Sequence, residues 1–171
     1  MKLTNDVFIY PWTNVSINNC NTYLINEKHP ILIDTGLSMC LNGVLEDIKK
    51  DGIDPETIEL IISTHSHPDH FEGVKHFMQK TTKMALHRDE DTFLKETGKG
   101  FYNMFGLQMP DYRVDTYLQE GSLTINDTFM EIYHTPGHSP GSVSLYLPDS
   151  KTLIVGDVIF QAGVGRTDFP G

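Results

Sequence analysis

Short apolar runs separated by polar turns dominate the first fifth of the chain. Residues 7–10, 22–25 and 31–33 are mostly apolar or β-branched, and the segments between them contain asparagine and proline. This pattern predicts adjacent β-strands joined by turns. Residues 41–48 then place apolar side chains three and four positions apart, which predicts an amphipathic helix.

Strands and helices alternate through the middle of the chain, and hairpins follow. We predict helices at 71–80 and about 89–97, and strands at 58–62, 83–86, 122–133, 142–147 and 152–155. This order favours an α/β sandwich over a βαβ Rossmann domain. Because the 171 residues contain no linker, repeat or low-complexity segment, we expect a single domain spanning 1–171.

Residues 98–115 form an apolar segment that glycines interrupt. Phe101 and Phe105 are its most prominent side chains. They indicate either a lid or acyl-group pocket that contacts a substrate, or aromatic rings that pack onto the core. The sequence does not separate these two interpretations.

Charge and composition narrow the range of partners. The formal charge of −10 argues against nucleic acids, because phosphate backbones are bound through lysine and arginine patches. No run of about eighteen apolar residues is present, so we expect no membrane span. The N-terminus lacks the apolar core of a signal peptide, which predicts a cytoplasmic protein. The expected partner is therefore a small-molecule substrate.

The densest chemical signal in the chain is the segment Thr64-His65-Ser66-His67-Pro68-Asp69-His70, which directly follows the apolar run 60–62. Imidazole and carboxylate groups are ligands for zinc, manganese and iron. Near a strand end His65 and His67 point the same way, because they are two residues apart. Asp69 and His70 begin the helix that follows. One loop can therefore offer two pairs of ligands to neighbouring metal positions.

Two later segments add ligands of the same kind. His138 lies in a turn fixed by glycine and proline at 135–142, and Asp157 follows the apolar run 153–155 beside a glycine. A carboxylate just past a buried strand is well placed to bridge two cations. Together the three segments favour a metal site over a chance cluster of histidines on a polar loop.

These segments resemble the metallo-β-lactamase superfamily, and within it the small glyoxalase-II-like (hydroxyacylglutathione hydrolase-like) enzymes. The likeness rests on the His-x-His-x-Asp-His run, the Pro-Gly-His turn, the Gly-Asp pair and the stretches 33–36, 135–142 and 165–171. It implies a four-layer αβ/βα sandwich of the α/β class. It also implies a site in which His65, His67 and His138 hold a first metal, Asp69 and His70 hold a second, and Asp157 bridges them.

The family pattern asks for one more histidine beyond 165–168, and this chain stops at Gly171. The resemblance therefore implies a C-terminally incomplete sandwich, in which water or a partner completes the second metal's ligands. It also predicts an uncovered apolar face on the second sheet. Such a face indicates either a truncated product or a homo-oligomer in which a second copy covers it.

The resemblance implies a metal-dependent hydrolase of thioesters of the hydroxyacyl-glutathione type, which acts through a metal-bound hydroxide. Its cofactors would be two divalent ions, zinc first, with iron or manganese as alternatives, and Asp69 or Asp157 would orient the nucleophile. Three alternatives stay open. They are a mono-iron persulfide dioxygenase that uses His65, His138 and Asp157, a lactone or β-lactam hydrolase, and an inactive metal-binding fragment or regulatory module.

Two further residues each have two interpretations. Asp34 ends an apolar strand, where its carboxylate could orient a ligand imidazole or cap the turn at 35–36. Arg166 could bind a substrate carboxylate or pair with an acidic side chain to hold its loop. For Arg166 we favour the pairing.

Overall fold

The computed structural model describes residues 1–78, 80–125 and 127–169. The strands are β1 (Val7–Tyr10), β2 (Thr22–Ile25), β3 (Ile31–Ile33), β4 (Leu60–Ile62), β5 (Lys83–His87), β6 (Thr116–Leu118), β7 (Gly121–Ile125), β8 (Thr128–His134), β9 (Val143–Leu147), β10 (Thr152–Ile154), β11 (Ile159–Phe160) and β12 (Gly163–Val164). The helices are α1 (Ser38–Lys50), α2 (Pro68–Phe71), α3 (Arg88–Phe93) and α4 (Lys99–Met104). A π-helical segment, Leu94–Gly98, joins α3 to α4, and 3₁₀ turns lie at Pro55–Thr57 and Glu72–His76. None of the helices in these ranges has both the length and the apolar character needed to cross a membrane.

Two main sheets form the framework of the molecule. The first has the order β1-β2-β3-β4-β5-β6, antiparallel as far as β3 and parallel from there on. The second is the antiparallel order β10-β9-β8-β7, and β11 pairs with β12 in a separate ribbon. In the parallel part, Ile33 at the end of β3 lies opposite Ile62 at the end of β4. Asp34 and the histidine-rich segment therefore leave the sheet at the same edge.

Side chains of the first sheet alternate between two apolar cores. In β4, Leu60 and Ile62 pack against the second sheet, whereas Ile61 packs in the core beneath the helices. All three are buried. A strand covered on both faces reads as a continuous apolar run, which is why the sequence pattern identifies it without alternation.

The outer face of the second sheet is uncovered in the part of the chain that the structure describes. Tyr133 of β8 is 43% exposed and Leu153 of β10 is 54% exposed, while their inward neighbours Ile132 and Ile154 are buried. The described residues therefore form three layers of the predicted four: helices, the first sheet and the second sheet. The exposed apolar face was expected from the sequence, and its covering by a second copy stays a prediction.

The single helix predicted at 71–80 is wrong. The structure has the short α2, then a 3₁₀ turn, and Gln79 lies outside the described residues. The backbone carbonyl of His70 accepts hydrogen bonds from Thr35 and Gly36 at 3.0 and 3.2 Å. Because that carbonyl bonds to a neighbouring loop, the α-helical hydrogen bonding ends there and a 3₁₀ turn follows.

Besides the ribbon of β11 and β12, two elements, α4 and β6, were not predicted from the pattern. Helical structure continues through α4 into the glycine-interrupted segment 98–115, because Phe101 and Tyr102 are both buried in the helix-side core. The three-residue strand β6 pairs in parallel with β5. Contacts distant in sequence decide both elements, so local periodicity did not reveal them.

Candidate metal centre

The predicted metal-binding segments meet beside the end of β4. Two overlapping groups of side chains bring their possible ligand atoms within 4.8 Å of one another. The first group is His65, His67 and His138, and the second is His65, His70 and Asp157. The His65 ring centroid lies 4.7, 4.1 and 4.9 Å from those of His67, His70 and His138. Five of the six predicted ligands are therefore collected in one cluster.

His65 carries the most direct sign of a metal ligand. It is 1% exposed, and its Nε2 is buried without a hydrogen-bond partner among the described residues. Its Nδ1 lies 3.2 Å from Thr64 Oγ1, and that hydroxyl donates to Asp34 at 2.8 Å. The hydroxyl oxygen can therefore accept the Nδ1 proton, which leaves a lone pair on Nε2. An unpartnered buried nitrogen is costly, so this atom fits a metal ion that would pair with it.

Asp34 orients the imidazole of His70, as one of its two interpretations proposed. The Asp34 Oδ2 atom lies 2.9 Å from His70 Nδ1, and Oδ1 accepts the Thr64 backbone N–H at 2.8 Å. His70 Nε2 in turn lies 3.0 Å from Asp157 Oδ1. Asp34 is 1% exposed and holds a φ of 57°. This uncommon backbone conformation at the sheet edge suits a residue held by its side-chain contacts.

His138 is fixed through the loop that follows β12. Its Nδ1 lies 2.9 Å from the Arg166 carbonyl oxygen, which can only accept, so Nδ1 carries the proton. The Nε2 lone pair then faces His67 Nδ1 at 2.9 Å and Asp157 Oδ2 at 3.4 Å. Backbone carbonyls commonly hold metal-ligating histidines in this way.

Asp157 enters the cluster through a turn that requires glycine. Gly156 has a φ of 52°, and a Cβ there would lie 2.5 Å from Thr64 Oγ1. A larger residue would push the turn away from the histidine-rich segment. The glycine thus lets the Asp157 carboxylate reach His70 and His138.

His65 and His67 stay neutral at physiological pH. Burial, followed by the positive charge of His70, lowers the pKa of His65 well below its ordinary value. Burial and the charges of His138 and His70 lower the pKa of His67 to about 3. Metals bind neutral imidazole, so both rings are in the state that a metal requires.

The pKa values of His70 and Asp157 shift in opposite directions. Burial by itself would lower the pKa of His70, but the negative charge of Asp34 and the hydrogen bonds to Asp157 and Asp34 raise it well above its ordinary value. Burial would raise the pKa of Asp157, but the hydrogen bond and charge of His70 lower it. Without metal these two side chains form an ion pair, so a metal bound at His70 Nε2 would displace a proton.

Asp69 stands apart from the other predicted ligands. It belongs to neither ligand group, and its Oδ2 accepts a hydrogen bond from Asn18 Nδ2 at 2.7 Å. Asp69 does line the cavity that opens over His67, His138 and Asp157. Its role as a ligand of the second metal stays a prediction.

The cavity over the cluster has a volume of about 620 Å³ and is mostly apolar. Phe101, Phe105 and Arg166, the three predicted substrate contacts, all line it. Phe101 is 2% exposed and also belongs to the helix-side core, whereas Phe105 is 49% exposed. The Arg166 guanidinium pairs with Asp168 at 2.7 and 2.9 Å, as we favoured from the sequence.

Two of the four histidines outside the cluster lie together. His87 and His134 stack on each other with centroids 4.2 Å apart and planes 15° apart, near Asp89. In-plane lone pairs on parallel rings do not converge on one ion, so this geometry favours packing over ligation. The sequence analysis assigned neither residue to the metal site.

Three side chains that contact the site were not predicted from the sequence. Asn18 donates to Asp69, Phe169 packs its ring 5.0 Å from that of His67, and Glu90 accepts hydrogen bonds from Ser66 and Ser139. Phe169 lies in a stretch that carried the family resemblance. Asn18 and Glu90 gave no signal, because an asparagine in a loop and an acidic residue at a helix start are common for structural reasons.

Comparison with known proteins assigns the family. The model of the metallo-beta-lactamase superfamily matches residues 16–171. The chain belongs to this superfamily. Its members bind divalent metal ions, and the histidine and aspartate cluster could hold such ions. With the relatives below, the match makes the chain a metallo-hydrolase of this superfamily.

Several relatives are similar over most of the chain. The Bacillus subtilis protein named "Probable metallo-hydrolase YqgX" is 34% identical over 152 residues, which are 87% of this chain and 70% of the relative. The Haemophilus influenzae "Hydroxyacylglutathione hydrolase GloC" is 31% identical over 160 residues, 89% of this chain and 71% of the relative. The crystal structure of the BLEG-1 B3 metallo-beta-lactamase superposes with a TM-score of 0.77 at 29% identity, covering 96% of this chain and 78% of that one. This chain thus spans about 70% of the length of the two sequence relatives.

Proposed function

We propose that this protein hydrolyses thioesters of the hydroxyacyl-glutathione type at a site with two divalent metal ions. The observation that carries the proposal is the convergence of two ligand groups, which share His65, at the floor of an apolar cavity. The similarity to a hydroxyacylglutathione hydrolase supports the choice of substrate.

The residues available suit two neighbouring positions. His65, His67 and His138 would hold one ion, and His70, Asp157 and Asp69 would hold the other, with Asp157 between them. Zinc is the first choice, because a set rich in imidazole with carboxylate suits zinc, and manganese or iron are alternatives. Bound ions would supply a nucleophile by lowering the pKa of water to about 7, and would polarise the acyl carbonyl.

The protein's own groups hold the ligand rings and the attacking water in place. Asp34, Thr64 and the Arg166 carbonyl hold the imidazole rings in single orientations. Asp157, whose pKa is lowered, stays ionised and can orient the attacking water by accepting its hydrogen bond, and Asp69 at the cavity wall is the second candidate for this role. A thiolate leaves with little protonation, so thioester cleavage needs no dedicated general acid.

The cavity supports recognition of the acyl half more than the thiol half. Phe101, Phe105 and Phe169 form a cluster of edge-on rings with centroids 5.2–6.4 Å apart. Such a wall suits an acyl chain. Arg166 is the cavity residue that could meet a glutathione carboxylate, but it would have to exchange its pairing with Asp168.

The test is a substrate panel on metal-reconstituted protein. We expect metal-dependent thiol release from S-lactoylglutathione, and the lactoyl thioester of N-acetylcysteamine reports whether the peptide half contributes. Matched samples would receive a cephalosporin, a lactone, and glutathione persulfide with oxygen. If a cephalosporin or lactone is opened while both thioesters stay intact, the proposal fails in favour of β-lactam or lactone hydrolysis. Hydrolysis of β-lactams is the second candidate function, because the chain is similar to the BLEG-1 structure. Oxygen uptake with the persulfide alone would instead identify a dioxygenase.

Replacing Phe105 with alanine should raise KM by about fivefold to tenfold with little change in kcat. The ring is half-exposed at the cavity wall, so its loss removes apolar contact with the acyl group, about 1–1.5 kcal/mol. Steady-state kinetics and thermal unfolding would be measured together. Met104→Ala is the matched control, because Met104 precedes Phe105 and is 69% exposed. A lower Tm with an unchanged KM would mean that Phe105 serves packing alone.

A further inference from the structure

Glu90 is a buried carboxylate that joins the two loops carrying the first group of ligands. It lies in the first turn of α3 and is 0% exposed. One carboxylate oxygen, Oε2, accepts the Ser66 N–H at 2.7 Å and the Ser66 hydroxyl. The other, Oε1, accepts the Gly141 N–H at 2.7 Å and the Ser139 hydroxyl. Each oxygen therefore serves a different loop.

The residues that Glu90 contacts are neighbours of the ligands. Ser66 lies between His65 and His67 in the chain, and Ser139 follows His138. These two loops are 71 residues apart in sequence, counted between His67 and His138, yet the two rings lie 2.9 Å apart at their nearest nitrogens. Glu90 is thus a direct link between loops that must keep this spacing for three imidazoles to share one ion.

The loop that bears His138 is pressed closely onto the start of α3. A Cβ at Gly141 would lie 2.6 Å from the Glu90 backbone nitrogen and 3.0 Å from His87 Nδ1. This close approach lets the Gly141 N–H reach the carboxylate. The contact between α3 and the loop is therefore built from backbone as well as side chain.

The buried negative charge of Glu90 is a second reason to connect this residue with the metal centre. Within the described part of the chain, Glu90 accepts four hydrogen bonds, and all of them come from uncharged donors. A buried carboxylate without a cation is costly unless positive charge lies nearby. Divalent ions at the adjacent histidines would supply that charge.

We propose that Glu90 is a positioning residue for the metal centre, holding the loops of His65, His67 and His138 at the spacing that the first metal requires. This inference depends on the metal-binding part of the proposed function and not on the identity of the substrate. It predicts that Glu90 affects metal affinity and ligand geometry more than it affects the fold.

Glu90→Gln is the informative substitution. The side chain keeps its size, but the amide has one oxygen and one NH₂ group. Whichever way it turns, the NH₂ group meets the backbone N–H of either Ser66 or Gly141, and neither N–H can reverse its role. One of the two loops therefore loses its backbone hydrogen bond, although its serine hydroxyl can still accept a hydrogen bond from the NH₂ group.

The experiment compares wild type, E90Q and E96Q. Glu96 is exposed in the same helical run, so E96Q controls for the loss of a charge. Zinc affinity would be measured by competition with a chromophoric chelator, and ligand geometry by the visible absorption of the cobalt-substituted protein. For E90Q we expect a 10–100-fold loss of affinity and an altered cobalt spectrum, the usual effect of removing a partner that orients metal ligands. E96Q should match wild type.

The outcomes separate this inference from the proposed function. If E90Q has a lower Tm but its zinc affinity and cobalt spectrum equal those of wild type, Glu90 serves folding alone and the inference is overturned. If wild type itself binds no metal, the proposed function fails as well. Should E90Q not fold, Ser139→Ala removes one hydroxyl donor and keeps the Gly141 N–H. It should weaken zinc binding by up to about tenfold, and unchanged affinity would overturn the inference.

Discussion

Replacing Asp157 with asparagine should lower kcat/KM for thioester hydrolysis by about a thousandfold, or ~4 kcal/mol of transition-state stabilisation. The Asp157 carboxylate is the group that contacts both ligand groups, at 3.0 Å from His70 Nε2 and 3.4 Å from His138 Nε2. Asparagine preserves the shape, but it removes the charge and presents an NH₂ group on one side. That group cannot bind a cation, so one metal position loses its ligand. Steady-state kinetics at saturating metal would measure the loss.

The matched control for this prediction is Asp149→Asn. Asp149 is exposed in the turn between β9 and β10, so the control makes the same chemical change outside the site. It should keep wild-type kinetics. Metal content of both variants would be measured by elemental analysis. If D157N kept more than about a tenth of the activity with full metal content, a bridging carboxylate would not be required.

Adding zinc to the metal-free protein should raise its Tm by about 10 °C. At a metal concentration a thousandfold above Kd, binding stabilises the folded state by about 4 kcal/mol. In a chain of this size 1 kcal/mol corresponds to roughly 2–4 °C. The gain arises because the unpartnered Nε2 of His65 and the adjacent rings of His67 and His138 would obtain a common ligand. Differential scanning fluorimetry across a zinc titration would measure the shift.

The control for zinc stabilisation is a variant of one ligand. His138→Ala should show less than half of the wild-type shift, whatever its Tm without metal, because only the ligands of the second group remain intact. Magnesium should produce a small shift in wild type, since it prefers oxygen ligands. Equal shifts for zinc in wild type and H138A would place the bound ion elsewhere and refute the predicted ligand set.

Fold elements with strong apolar patterns were predictable from the sequence. The strand β4 reads as a buried run because both of its faces pack in apolar cores, and α1 repeats apolar residues at helical spacing. By contrast, β6 is a strand only because β5 pairs with it, and α2 stops where the His70 carbonyl bonds to another loop. These partners are distant in sequence, so no local pattern contains them.

The sequence by itself determined the chemistry of this protein. The ligand types, their spacing at 65–70 and their recurrence at His138 and Asp157 predict a divalent metal site typical of the metallo-β-lactamase superfamily, because only a few side chains bind such ions. The tertiary structure alone decided which partners hold those ligands. Asp34 orients His70, the Arg166 carbonyl oxygen holds His138, and Glu90 links the two ligand-bearing loops. Each of these roles is a hydrogen bond between groups brought together by the fold, and a hydrogen bond depends on distance and angle that residue identity does not contain.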